Sequence, residues 1–124
     1  MNTSTPDILV VGGAGYIGSH VVKALRDASR QPVVFDNLST GLRENLFSEI
    51  PFIHGDLLIP EQVRAAMRGI RSVIHLAALK AAGDSMLEPE RYALHNLNGT
   101  VNLLHAAGTT GVRHFVFSSS AAVY

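Results

Sequence analysis

The stretch Ile8-Leu9-Val10-Val11-Gly12-Gly13-Ala14-Gly15-Tyr16-Ile17-Gly18-Ser19-His20 decides the fold. Four β-favouring residues run straight into a glycine cluster, and apolar residues then recur at 17, 21, 24, 25 and 28, the spacing of one helix face. The pattern predicts a strand over 8–11, a tight turn, and a helix over 16–28. Gly12 permits the sharp turn and Gly15 lets backbone amides approach a pyrophosphate. Gly18 allows the helix to pack closely on the strand, and the helix N-terminus adds partial positive charge.

The same alternation continues along the chain. Short apolar runs at 32–35, 52–54, 72–76 and 114–117 read as strands, the second closed by Asp36-Asn37 and the third by Gly55-Asp56. Pro60 suits the first position of a helix that runs to Met67 and stops at Gly69, and a long helix is expected over 89–107, closed by Gly108. Residues 38–49 are polar and contain Gly41, which predicts a loop with one short helix. Parallel neighbours need crossover connections, so five strands separated mostly by helices imply an α/β fold with a doubly wound parallel sheet. Right-handed crossovers favour the order 3-2-1-4-5, a Rossmann-like arrangement whose pattern stops a few residues after the fifth strand.

Composition narrows the function. With 124 residues the chain forms one domain; 10 Lys+Arg balance 10 Asp+Glu, so no basic footprint for nucleic acid or anionic lipid exists. Only 16% of residues are charged and 47% are hydrophobic, which excludes disorder and suits strands buried on both faces. There is no cysteine, hence no disulfide framework or thiolate metal site. Asn96, Asn98, Asn102 and His105 exclude a membrane span in the uncharged stretch 92–112, and the first seven residues lack a basic n-region. The chain reads as a cytoplasmic domain.

Asp36 follows Gly15 by about 20 residues, where a carboxylate can accept hydrogen bonds from the adenosine ribose. That carboxylate repels a 2′-phosphate, so NAD is expected over NADP. A mononucleotide P-loop is the rival phosphate binder, but Ser19 stands where its lysine belongs. Histidines 54, 75, 95, 105 and 114 show no metal-ligand spacing and are expected to be packing or surface residues.

The run 12–20, together with Phe35-Asp36-Asn37-Leu38-Ser39-Thr40-Gly41, resembles the extended short-chain dehydrogenase/reductase family. Gly55-Asp56-Leu57, His75-Leu76-Ala77-Ala78-Leu79-Lys80, Asn98-Gly99-Thr100 and Ser118-Ser119-Ser120-Ala121-Ala122-Val123-Tyr124 bring it nearest to the epimerase branch, which interconverts UDP-glucose and UDP-galactose. The resemblance implies that Gly12, Gly15, Tyr16, Ile17 and Gly18 line the pyrophosphate of NAD. By the same likeness Asp36 and Asn37 hold the adenosine ribose, and Asp56 and Leu57 flank adenine. Leu76, Ala77 and Ala78 would form a wall for the cofactor, and Lys80 would reach the nicotinamide ribose. Ser120 matches the family's catalytic serine, which hydrogen-bonds the substrate 4-hydroxyl. Where many members carry two adjacent asparagines, this chain has His95-Asn96. From the residues alone, Asp56 also fits a loop cap, Lys80 a solvated lysine, and the serine run a turn after a strand.

Related 4,6-dehydratases resemble this chain but carry an acid pair after the fifth strand, whereas Ser120-Ala121-Ala122 has none. Transient hydride transfer from sugar C4 needs no such acid, so the resemblance implies epimerisation of a UDP-sugar. The family's base is a tyrosine followed four residues later by lysine. The three tyrosines here are Tyr16, Tyr92 and Tyr124, and none has that partner. The expectation is therefore an N-terminal fragment of such an enzyme, inactive alone. The alternatives are a free-standing NAD-binding or regulatory module, or a fragment of another NAD-dependent sugar-nucleotide enzyme. The apolar three–four spacing of Leu94, Leu97, Val101 and Leu104, together with an edge at the fifth strand, predicts a homodimer.

Overall fold

A computed structural model of the chain describes residues 6–38, 43–76 and 89–117; for Arg43, Pro89 and residues 91–96 only the backbone is described. Five strands form one parallel sheet, in the order β3-β2-β1-β4-β5: β1 (Ile8–Val11), β2 (Pro32–Asp36), β3 (Phe52–His54), β4 (Ser72–His75) and β5 (His114–Phe117). Helices α1 (Tyr16–Asp27), α2 (Pro60–Ala66) and α3 (Pro89–Thr110) make the crossovers, and a short 3-10 helix spans Arg43–Asn45. Strand order and element types match the sequence expectation.

Alternation along β1 divides the core in two. Leu9 and Val11 face a cluster with Val63, Met67 and Ile70 from the α2 region and Leu103 and Ala106 from α3. Ile8 and Val10 face the other side, with Val22 and Leu25 of α1 and with Leu46, Phe47 and Ile50 of the segment after the 3-10 helix. A strand covered on both faces has no solvated side to specify, which is why 8–11 and 32–35 are continuous apolar runs. Asp36 extends β2 by one residue and is buried at its C-terminal end.

The expected stop at Gly108 is wrong. The helix passes through Gly108 and ends after Thr110, where Gly111 takes the left-handed conformation (φ 84°) and the Val112 N–H donates to Ala107 O at 3.3 Å. That closure is a Schellman turn. The hydroxyls of Thr109 and Thr110 both donate to the Ala106 carbonyl, fastening the last turn that a stop at Gly108 would have removed.

Candidate dinucleotide-binding site

The site lies at the C-terminal ends of β1, β2 and β3, where ligands bind in open parallel sheets. Gly12 leaves β1 with φ 89°, a conformation open to glycine and strained for other residues, and its N–H donates to Phe35 O at 2.8 Å. Gly15 then caps α1, with no side-chain cap and no acidic residue in the first turn. Ser19 N–H, donating to Gly15 O at 2.9 Å, makes the first helical hydrogen bond. The amides of Tyr16, Ile17 and Gly18 have no partner carbonyl within the helix, so they remain as donors at its positive end.

Glycine is required at 18 by contact. A Cβ there would press on the Gly12 carbonyl oxygen and would lie 2.8 Å from Gly13 Cα. Gly13 is constrained by a side chain instead, because a Cβ would lie 2.8 Å from a methyl group of Val34 on β2. At Gly15, by contrast, an added Cβ would meet only Gly12 O, at 3.5 Å. The loop is thus packed hard on its inner side and open on its outer one. Tyr16 (76% exposed) and Ile17 (53%) stand beside that opening, and the Tyr16 ring is held edge-on to His20.

Asp36 binds the loop from β2. Its Oδ2 accepts from the Ala14 N–H at 3.0 Å, and its Oδ1 accepts from the Leu38 N–H at 2.7 Å. The second bond holds Leu38 in a left-handed conformation (φ 63°) that a leucine rarely adopts. One carboxylate therefore fixes both the glycine loop and the turn through Asn37. Asn37 itself is half-buried, and its carbonyl lies 3.2 Å from His54 Nε2.

The β3 end forms the neighbouring wall. Asp56 Oδ1 accepts from Leu58 N–H at 2.9 Å, and Asp56 N–H donates to Gln62 Oε1 at 2.8 Å, so this carboxylate shapes its own turn. Leu57 is held from behind: Asn102 Nδ2 donates to its carbonyl at 2.7 Å, and a Cβ on Gly99 would lie 3.2 Å from its side chain. Gly55 admits no Cβ either, because the Phe35 ring lies 2.7 Å from where one would sit. Leu76 leaves β4 beside β1, its N–H donating to Val11 O at 2.8 Å.

The structure therefore brings Gly12, Gly15, Tyr16, Ile17, Gly18, Asp36 and Asn37 together at the C-terminal end of the sheet, with Asp56, Leu57 and Leu76 on adjoining strand ends. Ala77, Ala78, Lys80 and Ser120 lie outside the described residues. Sequence reasoning missed Gly13, Asn45, Gly55 and Asn102. Asn45 Nδ2 donates to Ala14 O at 2.8 Å, across 31 residues of sequence. A single sequence offers no sign of that bond, since an asparagine in a polar loop reads as a turn former. His75 is buried with its ring edge-on to Phe115 and tilted against Phe117, as expected of a packing residue. Among the described residues no helix is long and apolar enough to cross a membrane, and no cluster of His, Asp or Glu could hold a metal ion.

Comparison with known proteins agrees with this fold. The UDP-glucose 4-epimerase of Streptomyces lividans is 44% identical over 119 residues, covering 94% of this chain and 36% of its own length. The crystal structure of UDP-glucose 4-epimerase from Thermus thermophilus in complex with NAD superposes with a TM-score of 0.87 at 41% identity, covering 91% of this chain and 37% of that one. The Thermotoga maritima UDP-glucose 4-epimerase with UDP-glucose gives 0.86 at 39% identity, again covering 91% of this chain and 37% of that one. The chain thus spans a little over a third of the length of the relatives it matches. The sequence pattern of the NAD dependent epimerase/dehydratase family matches residues 8–124, and the chain belongs to that family.

Proposed function

We propose that these residues are the NAD-binding part of a UDP-glucose/UDP-galactose 4-epimerase. The observation that carries the reading is the Asp36 carboxylate, buried at the end of β2 and bonded to the glycine loop at Ala14. It stands where it can accept hydrogen bonds from a ribose 2′-hydroxyl, and its charge opposes a 2′-phosphate. The residues present fit the dinucleotide. The amides of Tyr16, Ile17 and Gly18 form a donor cradle for the diphosphate, and the Gly15 surface leaves room for it to approach. Asp36 and Asn37 hold the adenosine ribose, Asp56 and Leu57 flank adenine, and Leu76 with Ala77 and Ala78 lines the path towards the nicotinamide. Lys80 holds the nicotinamide ribose.

When bound, NAD supplies a hydride acceptor for the sugar C4 that returns the hydride to the opposite face. Ser120 hydrogen-bonds the 4-hydroxyl whose proton must move. The family's base, a tyrosine paired with a lysine four residues on, has no match in residues 1–124, so these residues alone do not turn over. A cytoplasmic location and a homodimer joined through α3, β5 or both belong to the same reading.

Calorimetric titration with NAD and NADP tests it. NAD binds more tightly, and Asp36→Ala narrows the difference while costing about 1–3 kcal/mol of NAD affinity. Equal or tighter NADP binding by the unaltered protein would overturn the assignment of Asp36. Robust interconversion of UDP-glucose and UDP-galactose by residues 1–124 alone would overturn the assignment of roles.

A further inference from the structure

Asn45 sits in the segment 43–50, which lies between β2 and β3 in the chain and meets the glycine loop. Its amide donates to Ala14 O at 2.8 Å. Two further bonds hold the same stretch of loop: the Ala14 N–H donates to Asp36, and the Gly15 N–H donates to Gly12 O at 3.2 Å. The peptide between Ala14 and Gly15 is therefore fixed at both ends, its N–H inward on Gly12 and its C=O on Asn45. The next three amides are the free donors of α1. The Ala14 carbonyl lies two residues before this cradle and one helical turn before the Gly18 amide. Left loose, that carbonyl's dipole opposes an anion in the cradle as it swings round.

The segment carrying Asn45 is itself anchored on α1. Arg26 lies over the Phe47 ring, 4.5 Å from its centre, and its Nη1 pairs with Glu49 Oε2 at 2.9 Å. Leu46, Phe47 and Ile50 pack on the core cluster beneath, and Ile50 N–H closes a turn on Phe47 O at 3.0 Å. The far end of α1 thus holds a strap whose tip holds the loop at its near end.

We propose that Asn45 is a positioning residue for diphosphate binding: it pins the Ala14 carbonyl away from the helix N-terminus, leaving only donors towards the ligand. This rests on the dinucleotide reading above, and it assigns a part of the affinity to a residue outside the glycine motif. The role belongs to the amide as donor rather than to the bulk of the side chain. Asn45→Asp keeps the shape, puts an acceptor against the Ala14 carbonyl, and adds a negative charge near the diphosphate. Asn45→Ala removes the bond alone.

The test titrates the intact protein and both variants with ADP-ribose and with adenosine, which lacks the diphosphate, and follows hydrogen exchange of the Gly15 amide. Asn45→Ala weakens ADP-ribose binding by about fivefold, one ordinary hydrogen bond, and Asn45→Asp weakens it further. Adenosine binding is unchanged in both variants, and Gly15 exchange accelerates with no ligand present. An Asn45→Asp protein that binds ADP-ribose as well as the unaltered one overturns the proposal, as does an equal loss for adenosine. Unchanged Gly15 exchange in both variants overturns it whatever the protein binds. If the unaltered protein binds neither ligand, the dinucleotide reading fails by itself, and the exchange rates still decide whether Asn45 holds the loop.

Discussion

β1 and β5 are both four-residue strands rich in large apolar side chains, Ile-Leu-Val-Val and His-Phe-Val-Phe, yet they meet opposite fates. Every residue of β1 is buried, because it pairs with β2 on one side and β4 on the other, with helices on both faces. β5 is the last strand of the described sheet, paired only with β4, and Val116 and Phe117 are 57% and 53% exposed. Leu97, Val101 and Leu104 of α3 are exposed as well. Burial here is decided by neighbours rather than by residue type. The β1 flank is closed around the glycine loop, and the β5 flank leaves apolar side chains exposed.

The sharpest way to break that contrast is to truncate one side chain on each flank. Leu9→Ala leaves a cavity against Met67, Leu103 and Ala106, and should cost about 2–5 kcal/mol in urea unfolding. Val116→Ala should cost well under about 1 kcal/mol, since little of that side chain leaves water on folding. Equal losses would mean that β5 is covered in solution. Association gives the next effect. Light scattering should find a dimer at micromolar concentration, and Leu104→Ser with Phe117→Ser should shift it towards monomer with little change in Tm. A strictly monomeric mass for the unaltered protein would remove the case for a second copy on this flank.

The closed flank was also the legible one. Strand order followed from periodicity, because a strand buried on both faces must be a short unbroken apolar run and its crossovers must be helical. Gly18 was legible for the same reason: close approach of helix to turn is a local requirement, visible within seven residues. Gly13 and Gly55 were not, because what excludes a side chain there is Val34 and Phe35, brought in by strand pairing. Asn45 and Asn102 were invisible too; each grips a backbone carbonyl far away in sequence, at Ala14 and at Leu57. The end of α3 misled because any glycine can stop a helix. Which of Gly108 and Gly111 does so depends on threonine hydroxyls that bond back to Ala106.

Helix ends sharpen the contrast at smaller scale. α3 closes on Gly111, but α1 closes with Ser29 in the left-handed conformation (φ 63°), its Arg30 N–H donating to Leu25 O at 2.9 Å. A serine there bears a steric cost that glycine does not. Ser29→Gly should raise stability by up to about 1 kcal/mol, less the extra backbone entropy of the unfolded chain. A loss of stability on thermal unfolding would mean that the Ser29 side chain contributes more than its backbone strain costs.

The smallest effect is electrostatic and belongs to the strap on the closed flank. The Lys23 ammonium, bonded to Asp27 and aided by Arg26, lowers the Asp27 carboxyl below its ordinary value of 3.8. Glu49 is held below its ordinary 4.5, first by its own backbone N–H and then by Arg26. A carboxyl whose pKa is lowered by folding adds stability that is present above its unfolded value and lost as pH falls through the folded one. Both carboxylates are exposed to solvent, so the effect is small and screened by salt. Arg26→Gln should therefore melt slightly below the unaltered protein at pH 7, and the gap should narrow as pH falls below the 4.5 and 3.8 of the free carboxyls. The gap does not close, because Arg26 keeps its contact with the Phe47 ring at any pH. Melting curves recorded from pH 7 downward, at low and high salt, separate the two parts. A gap that stays constant with pH would assign all of the anchoring to the ring contact and none to Glu49.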